Sequence, residues 1–183
     1  GVVISGSQTS VYDDYDWIHE AIEWVRRVHR AGVPMLGICW GHQLLAQALG
    51  GRVVDMGTHE LGYEQIVHLG DDPLFEGVPA EFTSFETHTD RVAELPSGAV
   101  TLARNEYGVQ AFRLDHTYGV QFHPEYDRET AVWVTESKGL PDDQLQSVLN
   151  GITDESVEAA QKSTQLFDNF RRLTETRRPI QQP

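Results

Sequence analysis

The sequence contains little cysteine, little lysine and no long apolar run, and each shortage excludes a class of protein. Its 183 residues include one cysteine, Cys39, so no intrachain disulfide forms and nothing indicates an oxidising compartment. No apolar run is long enough to span a bilayer, and no charged segment precedes an apolar run as in a signal peptide. The sequence therefore predicts a soluble, cytoplasmic protein without a membrane partner.

Positive charge is also scarce. The chain has 14 Lys and Arg against 28 Asp and Glu, a net charge of −14, and its lysines are Lys138 and Lys162. A surface this negative repels phosphate backbones, which excludes nucleic acid as a partner. The acidic excess would suit a high-salt cytoplasm, and an ordinary acidic protein is the alternative.

The order of strand and helix patterns predicts an α/β fold with one domain. A hydrophobic fraction of 39% is typical of a globular protein, and this length allows one sizeable core. Residues 2–5 and 35–38 have the pattern of buried strands, and a helix is predicted between them, with Asp16 as its N-cap and a stop at 32–34 (GVP). This alternation predicts three layers, with a mostly parallel sheet between helices.

Further strands and then helices follow along the chain. Strands are predicted at 52–56, 65–69, 82–87, 100–103, 109–114 and 118–122, and helices at 127–138, 142–149 and 154–176. We therefore expect one domain over 1–183, with an α/β core at about 1–126 and a helical tail at about 127–178. The tail is expected to form the last layer on the sheet, with a separate subdomain as the alternative. Residues 177–183 are polar and are expected to fray.

The most informative segment is 37–43 (GICWGHQ), because it places Cys39 between two glycines where a strand is expected to meet a helix. Such a nucleophile elbow needs small residues two positions before and after the nucleophile, and Gly37 and Gly41 meet that need. A helix is predicted from Trp40 to Leu49, and its N-terminus favours a thiolate over a thiol. The segment therefore predicts a catalytic cysteine, whereas a lone cysteine elsewhere is usually an inert apolar residue.

A nucleophilic cysteine needs a base, and segment 119–125 (GVQFHPE) supplies the best candidate. His123 and Glu125 are two apart in an extended segment, so they face the same side. Pro124 fixes its own φ and keeps His123 extended, which stiffens the pair. Glu125 is expected to hold one imidazole nitrogen while the other faces the sulfur of Cys39.

The other histidines give weaker signals. His59 and Glu60, with Glu64 nearby, lack the second histidine of a zinc-binding helix, so no metal site is predicted. His42 lies beside the elbow and is interpreted as structural. His88 follows a predicted strand in 88–90 (HTD) and is a candidate to line the site. No cofactor is predicted.

Segments 37–43 and 119–125 resemble the two signatures of class I glutamine amidotransferases. The turn at 4–7 (ISGS), followed by 10–12 (SVY), and the loop at 88–90 resemble the GMP-synthase-type branch of that family. The resemblance covers about residues 1–126 and implies a flavodoxin-like, three-layer fold. It implies that Cys39 attacks the side-chain amide of glutamine, with His123 as base and Glu125 as its orienter, to give glutamate and ammonia.

The resemblance also implies how the substrate is bound. Gln43 matches the position that contacts glutamine, and His88 lines the same site. The backbone N–H of Trp40 and one from the Gly6–Ser7 turn match the oxyanion hole, which stabilises charge on the attacked carbonyl oxygen. Many relatives have Gly-Gly before Pro where this chain has 6–8 (GSQ), so Ser7 places a side chain in the turn.

Two features of the chain concern what lies outside the site. The family carries a strand and helix, a unit of roughly 30 residues, before the segment that begins here, so we expect a truncated core. No glycine-rich phosphate loop follows, so the ammonia is expected to pass to a separate synthase or another acceptor. The alternatives are a stand-alone hydrolase of γ-glutamyl compounds and a binding or regulatory module without turnover, which the intact triad disfavours.

Overall fold

The computed structural model describes residues 1–175, in which seven strands form one sheet. The strands are β1 (Val2–Ile4), β2 (Met35–Ile38), β3 (Arg52–His68), β4 (Glu81–Glu94), β5 (Val100–Asn105), β6 (Gly108–Leu114) and β7 (Thr117–Val120). The helices are α1 (Asp16–Arg30), α2 (Trp40–Ala48), α3 (Arg128–Ser137), α4 (Asp142–Gly151), α5 (Asp154–Gln161) and α6 (Gln165–Glu175). The strand order β1-β2-β7-β6-β5-β3-β4 places β2, which leads into Cys39, beside β7, which precedes His123.

The α/β fold class is confirmed, and the sheet is mixed. The pairs β1–β2 and β2–β7 are parallel, whereas the pairs from β7 across to β4 are antiparallel. Short turns join β5 to β6 and β6 to β7, and a short turn gives an antiparallel pair because a parallel pair needs a long crossover. The prediction of a mostly parallel sheet therefore holds only for the strands β1, β2 and β7.

Helices cover both faces of the sheet, as predicted for a three-layer fold. Helices α1 and α2 pack on one face, where Ile18 is fully buried. Helix α6 packs on the other face through Leu166 and Phe170. Met35 and Leu36 in β2 belong to these two different cores, because successive side chains of a strand point to opposite faces. Within residues 1–175, every helix is too short or too polar to cross a membrane.

Strand β3 is continuous over 17 residues, although the sequence predicts two separate strands at 52–56 and 65–69. The register shifts between Asp55 and Glu60, and pairing with β4 resumes at Glu60 opposite His88. The polar and glycine residues in this stretch have weak strand propensity, which the long-range pairing with β4 overrides. The continuation of β3 brings Glu60 to the candidate site.

The last predicted helix, 154–176, is divided into α5, a short 3₁₀ turn and α6. Asn169 docks α6, since its Nδ2 donates to the carbonyl oxygens of Leu74 (2.7 Å) and Glu76 (2.8 Å). The end of the predicted helix and the segment 177–183 lie outside the described residues. Helix α6 thus packs directly on the core that surrounds the central strands.

Candidate active site

Cys39 lies in a one-residue turn between β2 and α2. The strand ends at Ile38 and the helix begins at Trp40, so Cys39 is the N-cap residue. Its φ of 53° and ψ of −107° lie outside the regions that L-residues ordinarily adopt. The N–H of Cys39 donates to the carbonyl oxygen of Val120 (2.8 Å), which ties the turn to β7. The turn has the geometry expected for the elbow and holds the cysteine at the N-terminus of a helix.

The two glycines around Cys39 are required because no side chain fits at either position. A Cβ on Gly37 would lie 2.4 Å from the carbonyl carbon and oxygen of Gly41, and a Cβ on Gly41 would lie 2.2 Å from the carbonyl oxygen of Ile4. Both clashes are with backbone atoms, which cannot rotate away as the end of a flexible side chain would. The elbow is therefore packed directly against β1.

His123 lies just beyond the end of β7 and is fixed by its backbone and by its ring. Its N–H donates to the carbonyl oxygen of Phe85 (2.8 Å) in β4, and Nδ1 hydrogen bonds to Oε1 of Glu125 (2.8 Å). The side chain is buried, and Nε2 makes no hydrogen bond that meets ordinary geometric criteria within residues 1–175. Because Glu125 uses Nδ1, Nε2 is the nitrogen that remains for Cys39.

Cys39 and His123 meet beside Gly6. A Cβ built on Gly6 would lie 3.5 Å from Cε1 of His123 and 3.9 Å from Cβ of Cys39. Burial by itself lowers the pKa of His123, but the charge of Cys39, together with the hydrogen bond and charge of Glu125, outweighs it and raises the pKa to about 10. His123 is therefore protonated at neutral pH, the state that pairs with a thiolate.

Tyr126 also belongs to the site, although the sequence analysis did not single it out. Its ring stacks on the imidazole of His123 with a centroid distance of 4.2 Å and an interplanar angle of 26°. Burial raises the pKa of Tyr126 to about 12, so the phenol stays neutral. Pro124 is the residue in the sequence that could have indicated this contact. Proline favours a turn, and the turn brings Tyr126 back to His123.

The backbone donors expected for an oxyanion hole lie in two segments that meet at Cys39. Trp40 is the first residue of α2, and the N–H groups of a first helical turn have no partner within the helix. Gly6 and Ser7 follow β1 and line the same cavity. Oγ of Ser7 accepts a hydrogen bond from the N–H of Thr9 (3.3 Å), so the side chain of Ser7 is accommodated within the loop.

Gln43 is buried in α2 and is oriented by two acceptors. Its Nε2 donates to the carbonyl oxygen of Asp90 (3.0 Å) and to Oε1 of Gln121 (3.1 Å). An amide has two N–H donors and one carbonyl acceptor, so the donors of Gln43 are both used. The side-chain oxygen of Gln43 is therefore the atom that remains to accept a hydrogen bond from a ligand.

Asp90 connects the two segments that resemble the GMP-synthase-type branch. Its carboxylate accepts hydrogen bonds from Oγ of Ser10 (2.5 Å) and from the hydroxyl of Tyr12 (2.8 Å). Its backbone carbonyl oxygen hydrogen bonds to Nδ1 of His88 (2.8 Å) and to the amide of Gln43. Asp90 thus joins the loop after β1, strand β4 and the elbow helix.

Two buried carboxylates surround His88. Nε2 of His88 lies 2.9 Å from Oε2 of Glu60 and 3.1 Å from Oε2 of Glu86, and all three residues are buried. Burial lowers the pKa of His88, but the two carboxylates beside Nε2 outweigh this and raise it to about 10. Burial raises the pKa of Glu86 to about 7. The motif at 88–90 predicts His88 at the site but gives no sign of this buried cluster.

The possible metal-ligand atoms of Glu60, Glu86 and His88 lie within 4.8 Å of one another. This spacing is close enough for all three side chains to bind one metal ion. The sequence analysis considered Glu60 with His59 and Glu64 and predicted no metal site. In the structure, Nε2 of His88 is the nitrogen that would bind a metal, and it lies between the two carboxylates. With its pKa raised to about 10, His88 is an imidazolium and compensates the charge of one of these carboxylates.

Replacing Glu86 by glutamine is expected to raise the stability of the protein at alkaline pH. The pKa of Glu86 in the folded protein is about 7, above the ordinary value of 4.5 for a glutamate. The stability that the protonated carboxyl contributes is therefore complete below pH 4.5 and is lost as the pH rises through 7. We expect Glu86→Gln to raise Tm by about 3 °C at pH 8.5, roughly 1 kcal/mol in a chain of this size, and by less at pH 5. Thermal unfolding at the two pH values measures this.

The exposed Glu106 provides the matched control, and Glu106→Gln should shift Tm equally at both pH values. A Glu86→Gln variant that is destabilised more at pH 8.5 than at pH 5 would show that the ionised carboxylate stabilises the fold.

His42 is fully buried, and burial lowers its pKa to about 3, so it is neutral. It packs so closely on Gly119 that a Cβ there would lie 2.7 Å from Nδ1 of His42. These contacts support the interpretation of His42 as structural.

The residues predicted for the site line one cavity of about 720 Å³. The predicted residues among its lining are Cys39, His123, Glu125, Gly6, Ser7, Trp40, Gln43 and His88. One wall of the cavity is not predicted from the sequence, and it is formed by α3 and the residue after it: Trp133, Val134, Ser137 and Lys138. The arrangement places a cysteine, an imidazole and backbone donors around one space, as acyl transfer requires.

Comparison with known proteins identifies the family. Residues 1–132 match the class I glutamine amidotransferases. The chain is 40% identical over 126 residues to the glutamine-hydrolysing GMP synthase of Thermomicrobium roseum, and 39% identical over 128 residues to that of Aquifex aeolicus. These alignments cover 68% of this chain and 23% and 24% of the relatives, so the chain spans about a quarter of their length.

Solved structures show the same fold. A glutamine amidotransferase from Thermotoga maritima matches with a TM-score of 0.78 at 22% identity, covering 92% of this chain and 77% of that one. A glutamine amidotransferase from Methylobacillus flagellatus matches with a TM-score of 0.78 at 24% identity, covering 97% and 78%. Because the family match takes in well over half of the residues, this chain belongs to the class I glutamine amidotransferases. Within that family it is similar to the GMP synthases.

Proposed function

We propose that this chain hydrolyses glutamine to glutamate and ammonia through a thioester on Cys39. The observation that carries the proposal is the meeting of Cys39, at the strained N-terminus of α2, with His123, whose other ring nitrogen is held by Glu125. The helix N-terminus and the imidazolium both place positive charge beside the sulfur. The relatives that are about 40% identical to this chain are described as glutamine-hydrolysing, which supports glutamine as the substrate.

The reaction proceeds in two acyl-transfer steps. The thiolate of Cys39 attacks the side-chain amide carbon of glutamine, and a C–S bond forms while charge develops on the carbonyl oxygen. The N–H groups of Trp40 and the Gly6–Ser7 turn stabilise that charge. His123 donates its proton to the leaving nitrogen, the C–N bond breaks, and ammonia departs. Neutral His123 then takes a proton from water, which attacks the thioester and releases glutamate and the thiolate.

We propose further that the ammonia passes to a separate synthase. The relatives are GMP synthases, and each is about four times as long as the segment that matches this chain. The family match ends at residue 132, and helices α4, α5 and α6 follow it. Ammonia produced in the cavity would then reach an acceptor site on that synthase.

Incubation with glutamine tests the proposal. We expect glutamate and ammonia in equal amounts, and we expect a chloroketone analogue of glutamine to modify Cys39 as judged by mass spectrometry of the digested protein. Excess glutamine should slow the modification, because both molecules occupy the same cavity. Absence of turnover, or modification at a rate that glutamine does not change, would contradict the proposal.

Hydrolysis of larger γ-glutamyl compounds is a second candidate function, which the size of the cavity favours. Its volume of about 720 Å³ lies in the ~300–1,000 Å³ range of sites that hold drug-sized ligands, well above what a single amino acid fills. The same cysteine chemistry would release an amine in place of ammonia. A higher kcat/KM for γ-glutamyl amides than for glutamine would favour this second function.

A further inference from the structure

The buried cluster on β3 and β4 contains two carboxylates to which the proposed reaction gives no role. Glu60, Glu86 and His88 are each at most 6% exposed, and possible ligand atoms of the three lie within 4.8 Å of one another. His88 and its neighbour Thr87 also line the catalytic cavity. The cluster therefore lies directly behind one wall of the cavity, which gives an ion a path from solvent.

The two carboxylates flank the ring nitrogen of His88 in a way that a hydrogen bond does not explain. Oε2 of Glu60 lies 2.9 Å and Oε2 of Glu86 lies 3.1 Å from Nε2, yet Nε2 makes no hydrogen bond of ordinary geometry within residues 1–175. At such short distances a hydrogen bond fails because of its angle, so both oxygens lie to the side of the N–H direction. An ion bound along that direction would have the two oxygens beside it as further ligands.

The separations also fit a transition-metal ion. Zinc binds imidazole nitrogen and carboxylate oxygen at about 2.0–2.2 Å, which places neighbouring ligand atoms ~2.9–3.4 Å apart in right-angled to tetrahedral arrangements. The two measured separations, 2.9 and 3.1 Å, lie in this range. One nitrogen and two oxygens favour zinc over calcium and magnesium, which prefer oxygen ligands alone.

Glu86 indicates a cation independently of these distances. Its side chain is fully buried, and neither carboxylate oxygen accepts a hydrogen bond of ordinary geometry within the described residues. A buried carboxylate without hydrogen bonds is costly and needs a compensating charge. One imidazolium balances only one of the two carboxylates, whereas a divalent cation bound by a neutral imidazole balances both.

Neighbouring groups already orient His88 and Glu60, as groups around the ligands of metal sites commonly do. Nδ1 of His88 donates to the carbonyl oxygen of Asp90 (2.8 Å), so Nδ1 carries a proton and Nε2 is the nitrogen left to bind a metal. Nδ2 of Asn105 donates to Oε1 of Glu60, and Nε2 of Gln110 donates to Oε2 of Glu60 (3.1 Å). These bonds hold two of the three ligands in place before an ion arrives.

We propose that Glu60, Glu86 and His88 form a binding site for Zn²⁺, which is bound by Nε2 of His88 and by one oxygen of each carboxylate. The ion takes the place of the proton on Nε2, and that proton leaves to solvent. Zn²⁺ then joins β3 to β4 beside the cavity. The sequence pattern gives no sign of this site, because its ligands come from two strands whose pairing neither strand encodes.

Zinc titration of the Cys39→Ala protein tests the proposal. This background is needed because the thiolate of Cys39 and the imidazole of His123 could otherwise bind zinc themselves. After EDTA treatment and removal of the chelator, calorimetry at pH 7.5 should show one Zn²⁺ bound per chain. Zinc at about 100 times its Kd should raise Tm by about 5–10 °C, whereas the same concentration of Mg²⁺ should not.

Variants that remove one ligand identify the site. Glu86→Gln in the same background should weaken zinc binding at least about 100-fold, and Glu60→Gln should do the same if Glu86→Gln does not fold. Glu64→Gln gives the matched control, since Glu64 lies in β3 outside the cluster and its replacement should leave Kd within twofold.

Two results would overturn the zinc site. One is the absence of zinc binding to the folded Cys39→Ala protein, and the other is an unchanged Kd in a folded Glu86→Gln or Glu60→Gln variant. Neither result bears on glutamine hydrolysis, which is measured with the wild type in the presence of EDTA.

Discussion

Replacement of Cys39 by alanine is expected to lower kcat for glutamine hydrolysis by at least about 10⁴-fold, to the level of the assay background. The thioester cannot form without the sulfur, and the backbone donors alone do not supply a nucleophile. The fold should survive, because alanine is small and can occupy the same strained turn. Ammonia release under saturating glutamine, with circular dichroism and Tm measured in parallel, gives both results.

A loss of activity caused by unfolding would be recognised by a matching fall in Tm. Retention of glutamine hydrolysis within tenfold of the wild type in a folded Cys39→Ala protein would remove the cysteine from the mechanism. The pKa of His123 should also fall in this variant, because the charge that most strongly raises it is removed. Titration of the His123 resonance by NMR measures that shift.

Replacement of Gly41 by alanine is expected to damage both stability and catalysis. The new Cβ would lie 2.2 Å from the carbonyl oxygen of Ile4, so β1 or the start of α2 must move. Overpacking of this kind typically costs about 1–3 kcal/mol, and against backbone we expect the upper end, a fall in Tm of about 6–12 °C. Movement of β1 carries Gly6 and Ser7 with it, and loss of one oxyanion donor lowers kcat about 10²-fold.

Gly151 is the matched control, because a Cβ there meets no atom within 4 Å and its φ is not in the positive region. Gly151→Ala should leave Tm and kcat close to those of the wild type. A Gly41→Ala protein with unchanged Tm and kcat would show that the elbow relaxes without moving β1.

The elbow and the His123–Glu125 pair could be predicted because each depends on residues close together in the sequence. The strand, turn and helix around Cys39 follow from apolar runs and two glycines, and the structure has them at β2 and α2. The pairing of Nδ1 of His123 with Glu125 follows from a two-residue spacing fixed by Pro124. The helix before β2 and the strand at Met35–Ile38 are confirmed for the same reason, although the N-cap of the helix is Tyr15 and Asp16 is its first residue.

The surroundings of the triad could not be predicted, because they depend on contacts between distant segments. Glu60 reaches His88 only because β3 continues past a bulge and pairs with β4, where local propensity indicated a break. Lys138 lines the cavity because α3 packs beside the elbow, and the position of a helix across a sheet is not encoded in its own periodicity. The antiparallel half of the sheet could not be predicted either, because it depends on which strands pair.

The double role of Asp90 restricts how the cavity can open. Its carboxylate holds Ser10 and Tyr12, while its backbone oxygen holds Gln43 and His88. A swing of the loop after β1 away from the sheet would break two hydrogen bonds to one carboxylate and leave a charge without partners. The loop after β1 is therefore a fixed wall of the cavity, held against β4 by a single residue.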